Sequence, residues 1–180
     1  MARILIVDDD SLLLDSLGKL LSSAGYEVAT AGDGLEGLSK ALQTLPDLVL
    51  VDLCIPVLDG FGFVAAFKAN ATTRKIPCLL ITALDDRDSM RRAMSLGADG
   101  MLIKPVRAGP LLEAISRRLE FSAEVRSQAI TLAVVRQAME RKPGWSVEQE
   151  IEEALAESSM RAPIKEARHV SILYSDIRNF

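Results

Sequence analysis

Four uninterrupted apolar runs mark the first hundred or so positions: Ile4-Leu5-Ile6-Val7, Leu48-Val49-Leu50-Val51, Cys78-Leu79-Leu80-Ile81 and Met101-Leu102-Ile103. None alternates with polar residues, which is the pattern of strands buried on both faces of a parallel sheet. A shorter strand is predicted at Glu27-Val28-Ala29-Thr30. Between the runs the period changes to that of a helix. Leu12, Leu13, Leu17, Leu20 and Leu21 follow Ser11, which reads as an N-cap, and Gly25 supplies a stop. Further helices are predicted over 35–45, closed by Pro46, and over 61–69, with Phe63, Val64 and Phe67 on the apolar side. Another runs from Asp85-Asp86 to Leu96, and a last one starts near Ala108. Five strands alternating with helices predict an α/β fold, a doubly wound five-stranded parallel sheet with right-handed crossovers.

The helical pattern does not end with that domain. Leu111, Leu112, Ile115 and Leu119 are continued by Val125, Ala129, Leu132, Val135 and Met139, and no Gly or Pro intervenes before Lys142. Such a helix would be about 45 Å long at about 1.5 Å per residue, too long to lie on a small domain. Its apolar stripe has to be buried elsewhere. A parallel coiled coil between two copies would do so, and the alternative is a bent helix folded back on its own domain. Lys142-Pro143-Gly144 breaks the helix, and Ser146-Val147-Glu148-Gln149 has the form of a capping box. A second helix over about 147–160 carries Glu150, Glu152, Glu153 and Glu157, which read as a solvated face. The expected organisation is a domain over 1–120, a helical linker over 121–168 with its break at 143–145, and the start of a further domain over 169–180.

Composition narrows the class. With 49% hydrophobic and 26% charged residues the chain is globular. A net charge of −4, without a basic cluster or aromatic platform, gives no reason to expect nucleic-acid binding. Cys54 and Cys78 lack metal-ligand spacing and suggest reduced thiols in a cytoplasmic protein. No apolar stretch is long enough to be inserted in a membrane.

Chemistry gathers at the strand ends. The first run ends in Asp8-Asp9, the third strand in Asp52, the fourth in Thr82 and the fifth in Lys104. In an open parallel sheet these ends share one edge, where ligands bind. Asp52 alone could be a loop cap, and the cluster could be salt bridging at a sheet edge. Three carboxylates packed together repel, however, and need a cation. Hard oxygen ligands with room for water suit Mg²⁺. A carboxylate nucleophile, a metal, an ammonium and a hydroxyl donor together form a site for holding a phosphoryl group.

These residues resemble the receiver domain of bacterial two-component response regulators, over about 1–120. The resemblance is carried by Ile6-Val7-Asp8-Asp9, by Asp52-Leu53-Cys54-Ile55-Pro56-Val57-Leu58-Asp59-Gly60, by Ile81-Thr82-Ala83, by Gly97-Ala98-Asp99-Gly100 and by Lys104-Pro105. It implies the flavodoxin-like strand order 2-1-3-4-5 and phosphorylation of Asp52 by a sensor histidine kinase. It also implies Mg²⁺ held by Asp9, Asp52 and the backbone carbonyl of Cys54 with help from Asp8, phosphate contacts from Thr82 and Lys104, and a cis Lys104-Pro105 bond. Two positions depart from the family. Met101 stands where Tyr or Phe is usual, so the Thr82-coupled switch would work through a flexible Met. Cys54 and Leu84 flank the position of the attacking water, and neither aligns a water well, so slow loss of phosphate is expected.

The final residues, Val170-Ser171-Ile172-Leu173-Tyr174-Ser175-Asp176-Ile177-Arg178-Asn179-Phe180, resemble the opening strand of a class III adenylate/guanylate cyclase domain. The resemblance implies that Asp176 binds the catalytic metals in a longer parent protein and that the sequence is cut just inside this output domain. A diguanylate cyclase is the rival reading, and a docking module without enzymatic output is another. The function expected is that of a phospho-accepting receiver with no enzyme activity of its own beyond self-phosphorylation. It would form a homodimer through receiver and linker helix and control a nucleotidyl cyclase.

Overall fold

The computed structural model describes residues 1–83 and 87–140. Five strands alternate with five helices. They are β1 (Arg3–Val7), α1 (Ser11–Ser23), β2 (Glu27–Ala31), α2 (Gly34–Thr44), β3 (Leu48–Asp52), α3 (Gly60–Ala69), β4 (Cys78–Thr82), α4 (Arg87–Ser95), β5 (Gly100–Ile103) and α5 (Ala108–Glu140). The strands form one parallel sheet in the order β2-β1-β3-β4-β5.

The apolar runs of β1, β3 and β4 are buried because helices cover both faces of the sheet there, whereas the run of β5, the edge strand, is only half-buried and exposes Ile103. Successive side chains alternate between two cores. Leu5, Val7, Val49, Val51 and Leu80 meet Phe63, Val64 and Phe67 of α3 and Ala41 of α2. Ile4, Ile6, Leu48, Leu50, Leu79 and Ile81 meet Leu17 and Leu21 of α1 and Leu111 and Ile115 of α5. Phe63 and Phe67 stack at 5.4 Å between ring centroids. Helix α4 is mostly polar and buries only Ala93. The Arg92 guanidinium lies 4.2 Å from the Phe61 ring centroid, tying α4 to α3.

The helix ends largely follow the local signals. Asp10, and not Ser11, is the N-cap of α1: its carboxylate accepts the Leu12 and Leu13 amides, and Ser11 is already helical. An ionised side chain accepts those amides more strongly than a hydroxyl does. Asp33 caps α2, while Glu36 reaches back to the Gly32 amide at 2.7 Å. Asp59 caps α3 through the Gly62 amide. Gly25 adopts φ +89° just beyond α1, as its role as a stop requires.

Two compact units divide the chain, Met1–Leu119 and Glu120–Phe180. The predicted continuous helix is found as α5, 33 residues long. In its part within the second unit, Phe121, Val125 and Leu132 are exposed, at 61%, 48% and 71%. Val134, outside the expected stripe, is buried. The expected break at 143–145, the acidic helix and the Asp176 strand lie outside the described residues. Among the described residues no helix is long and apolar enough to cross a membrane.

Candidate functional site: an acidic cluster at the strand ends

The parallel register brings the predicted residues to one edge. Val7 pairs with Val51, Asp52 with Ile81, and Thr82 with Ile103. The residues that follow β1, end β3 and follow β5 are therefore neighbours although as many as 96 positions separate them. The Lys104 amide donates to the Thr82 carbonyl at 2.7 Å, and the Leu53 amide to the Ile81 carbonyl at 3.0 Å, which fixes the chain as it leaves the strands.

Asp8, Asp9 and Asp52 each present a carboxylate oxygen within 4.8 Å of the others. Asp8 and Asp52 are buried, and Asp9 is exposed. Lys104 Nζ lies 2.9 Å from Asp8 Oδ2 and 3.3 Å from Asp52 Oδ2, so one ammonium serves two carboxylates. The other oxygens are held by backbone. Asp8 Oδ1 accepts the Asp10 amide at 2.9 Å, and Asp52 Oδ1 accepts the Leu53 amide at 2.8 Å. Burial raises the Asp52 pKa above the usual carboxylate range. The Lys104 charge opposes that shift, and the neighbouring Asp8 charge adds to it. At Lys104, burial acts to lower the pKa. The hydrogen bond to Asp8 and the charges of Asp52 and Asp8 outweigh it, and the ammonium ends above its ordinary value.

Three carboxylates against one ammonium leave two negative charges. A divalent cation balances that excess, and an all-oxygen donor set with one exposed member suits Mg²⁺ with bound water. The residues present fit that ion. Thr82 is fully buried at the end of β4. Cys54 is exposed in the loop after β3. Met101 is half-buried in β5 opposite Leu80 and packs against the α3 side of the core. The Lys104–Pro105 peptide is cis. Leu84 lies outside the described residues, as does Asp176.

Two features of this edge were not legible in the sequence. Gly60, the first residue of α3, approaches the Asp52 backbone so closely that an added Cβ would stand 2.5 Å from the Asp52 carbonyl oxygen. Gly34, the first residue of α2, is equally bare where it meets the Leu58 carbonyl. Both follow an Asp, and the Asp-Gly pairs signal only that a turn is there.

Comparison with known proteins agrees with this geometry. The family model described as "Response regulator receiver domain" matches residues 4–116. The response regulator PleD of Caulobacter vibrioides is 43% identical over 105 residues, 58% of this chain and 23% of that protein. The transcriptional regulatory protein PrrA of Mycobacterium tuberculosis is 38% identical over 133 residues, 72% of this chain and 56% of its own length. Among solved structures, the chemotaxis response regulator CheY4 of Vibrio cholerae superposes with a TM-score of 0.63 at 35% identity, covering 66% of this chain and 98% of that one. The match thus spans 23% of one of these two curated relatives and 56% of the other. Strand order, acidic edge and family match converge: the chain belongs to the response regulator receiver domain family.

Proposed function

We propose that this domain accepts a phosphoryl group on Asp52 from the phosphohistidine of a sensor histidine kinase. The observation that carries the reading is a buried carboxylate, Asp52, held beside Asp8 and Asp9 by the single ammonium of Lys104. An Asp52 oxygen attacks phosphorus, the bond from phosphorus to the donor histidine nitrogen breaks, and an acyl phosphate forms. Asp8, Asp9, Asp52 and the Cys54 carbonyl would hold Mg²⁺, which when bound would supply charge neutralisation for this transfer. Lys104 then faces the new phosphate oxygens with a fixed positive charge, and Thr82 gives them a hydroxyl donor. The added negative charge pulls both inward. Met101, paired with Leu80 two positions before Thr82, takes up the space that Thr82 vacates.

The test is phosphoryl labelling. Incubated with acetyl phosphate and Mg²⁺, the wild-type protein gains one phosphoryl group by intact mass, and Asp52→Asn gains none. Labelling that persists in Asp52→Asn overturns the assignment. Neither Cys54, whose thiol is exposed, nor Leu84 aligns a hydrolytic water well, so the phosphate is lost slowly. A lifetime no longer than that of a variant carrying both Cys54→Asn and Leu84→Glu would refute this.

The output reading rests on the Asp176 stretch. In the parent protein, residues 121–168 act as a signalling linker and residues from 169 begin a nucleotidyl cyclase, with Asp176 as a metal ligand. Two copies pair through the receiver and α5, whose Phe121, Val125 and Leu132 expose apolar surface in the single chain. Phosphorylation would change that pairing and so the cyclase dimer. Assay of the parent protein with ATP and GTP separates the outcomes. A 3′,5′-cyclic monophosphate supports the class III reading, cyclic di-GMP supports the diguanylate cyclase, and neither product supports a docking receiver.

A further inference from the structure

The loop over 53–59, which joins Asp52 to α3, contains the most unusual backbone of this edge. Val57 has φ +68°. The Leu58 amide donates across it to the Pro56 carbonyl at 2.7 Å, closing a three-residue γ-turn of the positive-φ kind. That turn is rare and strained for any L-residue, and more so for a β-branched one. Val57 is 77% exposed, so burial of its side chain does not offset the strain. The neighbours must hold the turn.

Three contacts do so. The Gly60 amide donates to the Leu53 carbonyl at 3.0 Å, bringing the two ends of the loop together. The Asp59 carboxylate caps α3. The third contact comes from a different element. An added Cβ on Gly34 would collide with the Leu58 carbonyl oxygen and lie 3.0 Å from both the Leu58 carbonyl carbon and its Cβ. No flexible side-chain tip is available there to yield, because the nearest atoms are backbone. The first turn of α2 is itself fixed, by the Asp33 cap and by Glu36 on the Gly32 amide.

We propose that Gly34 is a positioning residue for the cation-binding loop: its bare Cα at the start of α2 is the seat on which the Leu58 carbonyl rests. That seat keeps residues 53–59, which include Cys54, in the strained turn, and so fixes where the Cys54 carbonyl can stand. The inference rests on the reading of Asp8, Asp9, Asp52 and the Cys54 carbonyl as a Mg²⁺ site. Gly34 touches neither cation nor phosphate. It acts through the loop, as residues behind a ligand shell do when they fix a ligand's direction.

Calorimetric titration of Mg²⁺, well below the melting temperature, tests it on the whole chain. Gly34→Ala, shown to be folded by circular dichroism, should bind Mg²⁺ about tenfold or more weakly than wild type. Gly18→Ala, in α1 where an added Cβ meets nothing within 4 Å, should bind like wild type and so excludes a general effect of helix substitution. A loss of less than about tenfold in folded Gly34→Ala overturns the proposal. Where Gly34→Ala does not fold, Asp33→Ala replaces it under the same threshold, since it adds no atom and removes the cap that fixes the first turn of α2, where Gly34 sits. Wild-type protein that takes up no Mg²⁺ would overturn the functional reading and this proposal with it. Binding that survives in Gly34→Ala overturns this proposal alone.

Discussion

Each end of the sheet carries a lysine paired with aspartate, and the two arrangements are not equivalent. At the end where β4 and β5 begin, Lys68 Nζ binds Asp99 Oδ2 at 2.7 Å and the Ile76 carbonyl at 2.8 Å. The same Asp99 oxygen accepts the Cys78 amide at 2.8 Å, and the Asp99 amide donates to the Cys78 carbonyl. One charge meets one charge, and the Ile76 carbonyl and the Cys78 amide add hydrogen bonds to the pair. At the other end, Lys104 is shared by Asp8 and Asp52, with Asp9 in reach, and a net negative charge is left over. The first cluster is self-sufficient and ties α3 to the sheet. The second carries more negative than positive charge, and the cation site proposed above rests on that excess. A buried Lys–Asp pair is therefore no sign of function until its charges are counted.

The two thiols give the largest contrast. Cys78 belongs to the closed end, and burial pushes its pKa up to about 12 from an ordinary 9.0. Its thiolate is then about 1000-fold scarcer than that of an ordinary thiol at any pH well below 9, since each pH unit is tenfold. Cys54 is exposed at the open end. Alkylation with iodoacetamide under native conditions should modify Cys54 and leave Cys78 intact until the protein is denatured. Equal labelling rates would dissolve the contrast.

Next in size is the clamp itself. Lys68→Met should lower stability by about 2 kcal/mol, the loss expected for hydrogen bonds to a charged partner. The cost stays below that of breaking a fully buried pair because Asp99 keeps 31% of its side chain exposed. Urea unfolding with an unchanged slope would measure it.

At the open end the sign reverses. Asp52 is held above its ordinary pKa, by burial first. It therefore stabilises the fold most below its unfolded pKa of about 4, and that contribution is lost as pH rises through the folded value. Asp52→Asn removes the charge, so without divalent cations it should be more stable than wild type at neutral pH by about 1 kcal/mol. The gap should close as pH falls toward 4 and should also close when Mg²⁺ is added to wild type. Thermal melts at several pH values, with EDTA or Mg²⁺, read all three effects. A less stable Asp52→Asn at neutral pH would refute the sign.

An effect of similar size lies in the loop. Val57→Asn keeps the turn while easing its left-handed strain, and should raise stability by about 1 kcal/mol. A melting temperature at or below that of wild type would mean that the turn is not strained in solution.

What could be read in advance follows from how local each cause is. Asp8, Asp9, Asp52, Thr82 and Lys104 were readable because each sits at or just beyond the end of an apolar run, and parallel strands place those ends together. The Gly25 stop was equally local. The α1 cap was misassigned by one residue because Asp10 and Ser11 are both good caps, and only the backbone angles at Asp10 decide between them. Lys68–Asp99 gave no signal, since the partners are 31 positions apart and belong to different crossovers.

Strand and helix order, the two-faced burial of the central strands and the chemical identity of the acidic edge are all written locally. They depend on periodicity and on strand direction, which neighbouring residues encode. That Lys104 bridges Asp8 and Asp52, that the Val57 turn is held against Gly34, and which of the two lysine clusters is left short of positive charge emerge only once the elements have packed. Those outcomes depend on distances between elements, set by how closely backbones approach when both cores close, and no local pattern of residues encodes such an approach.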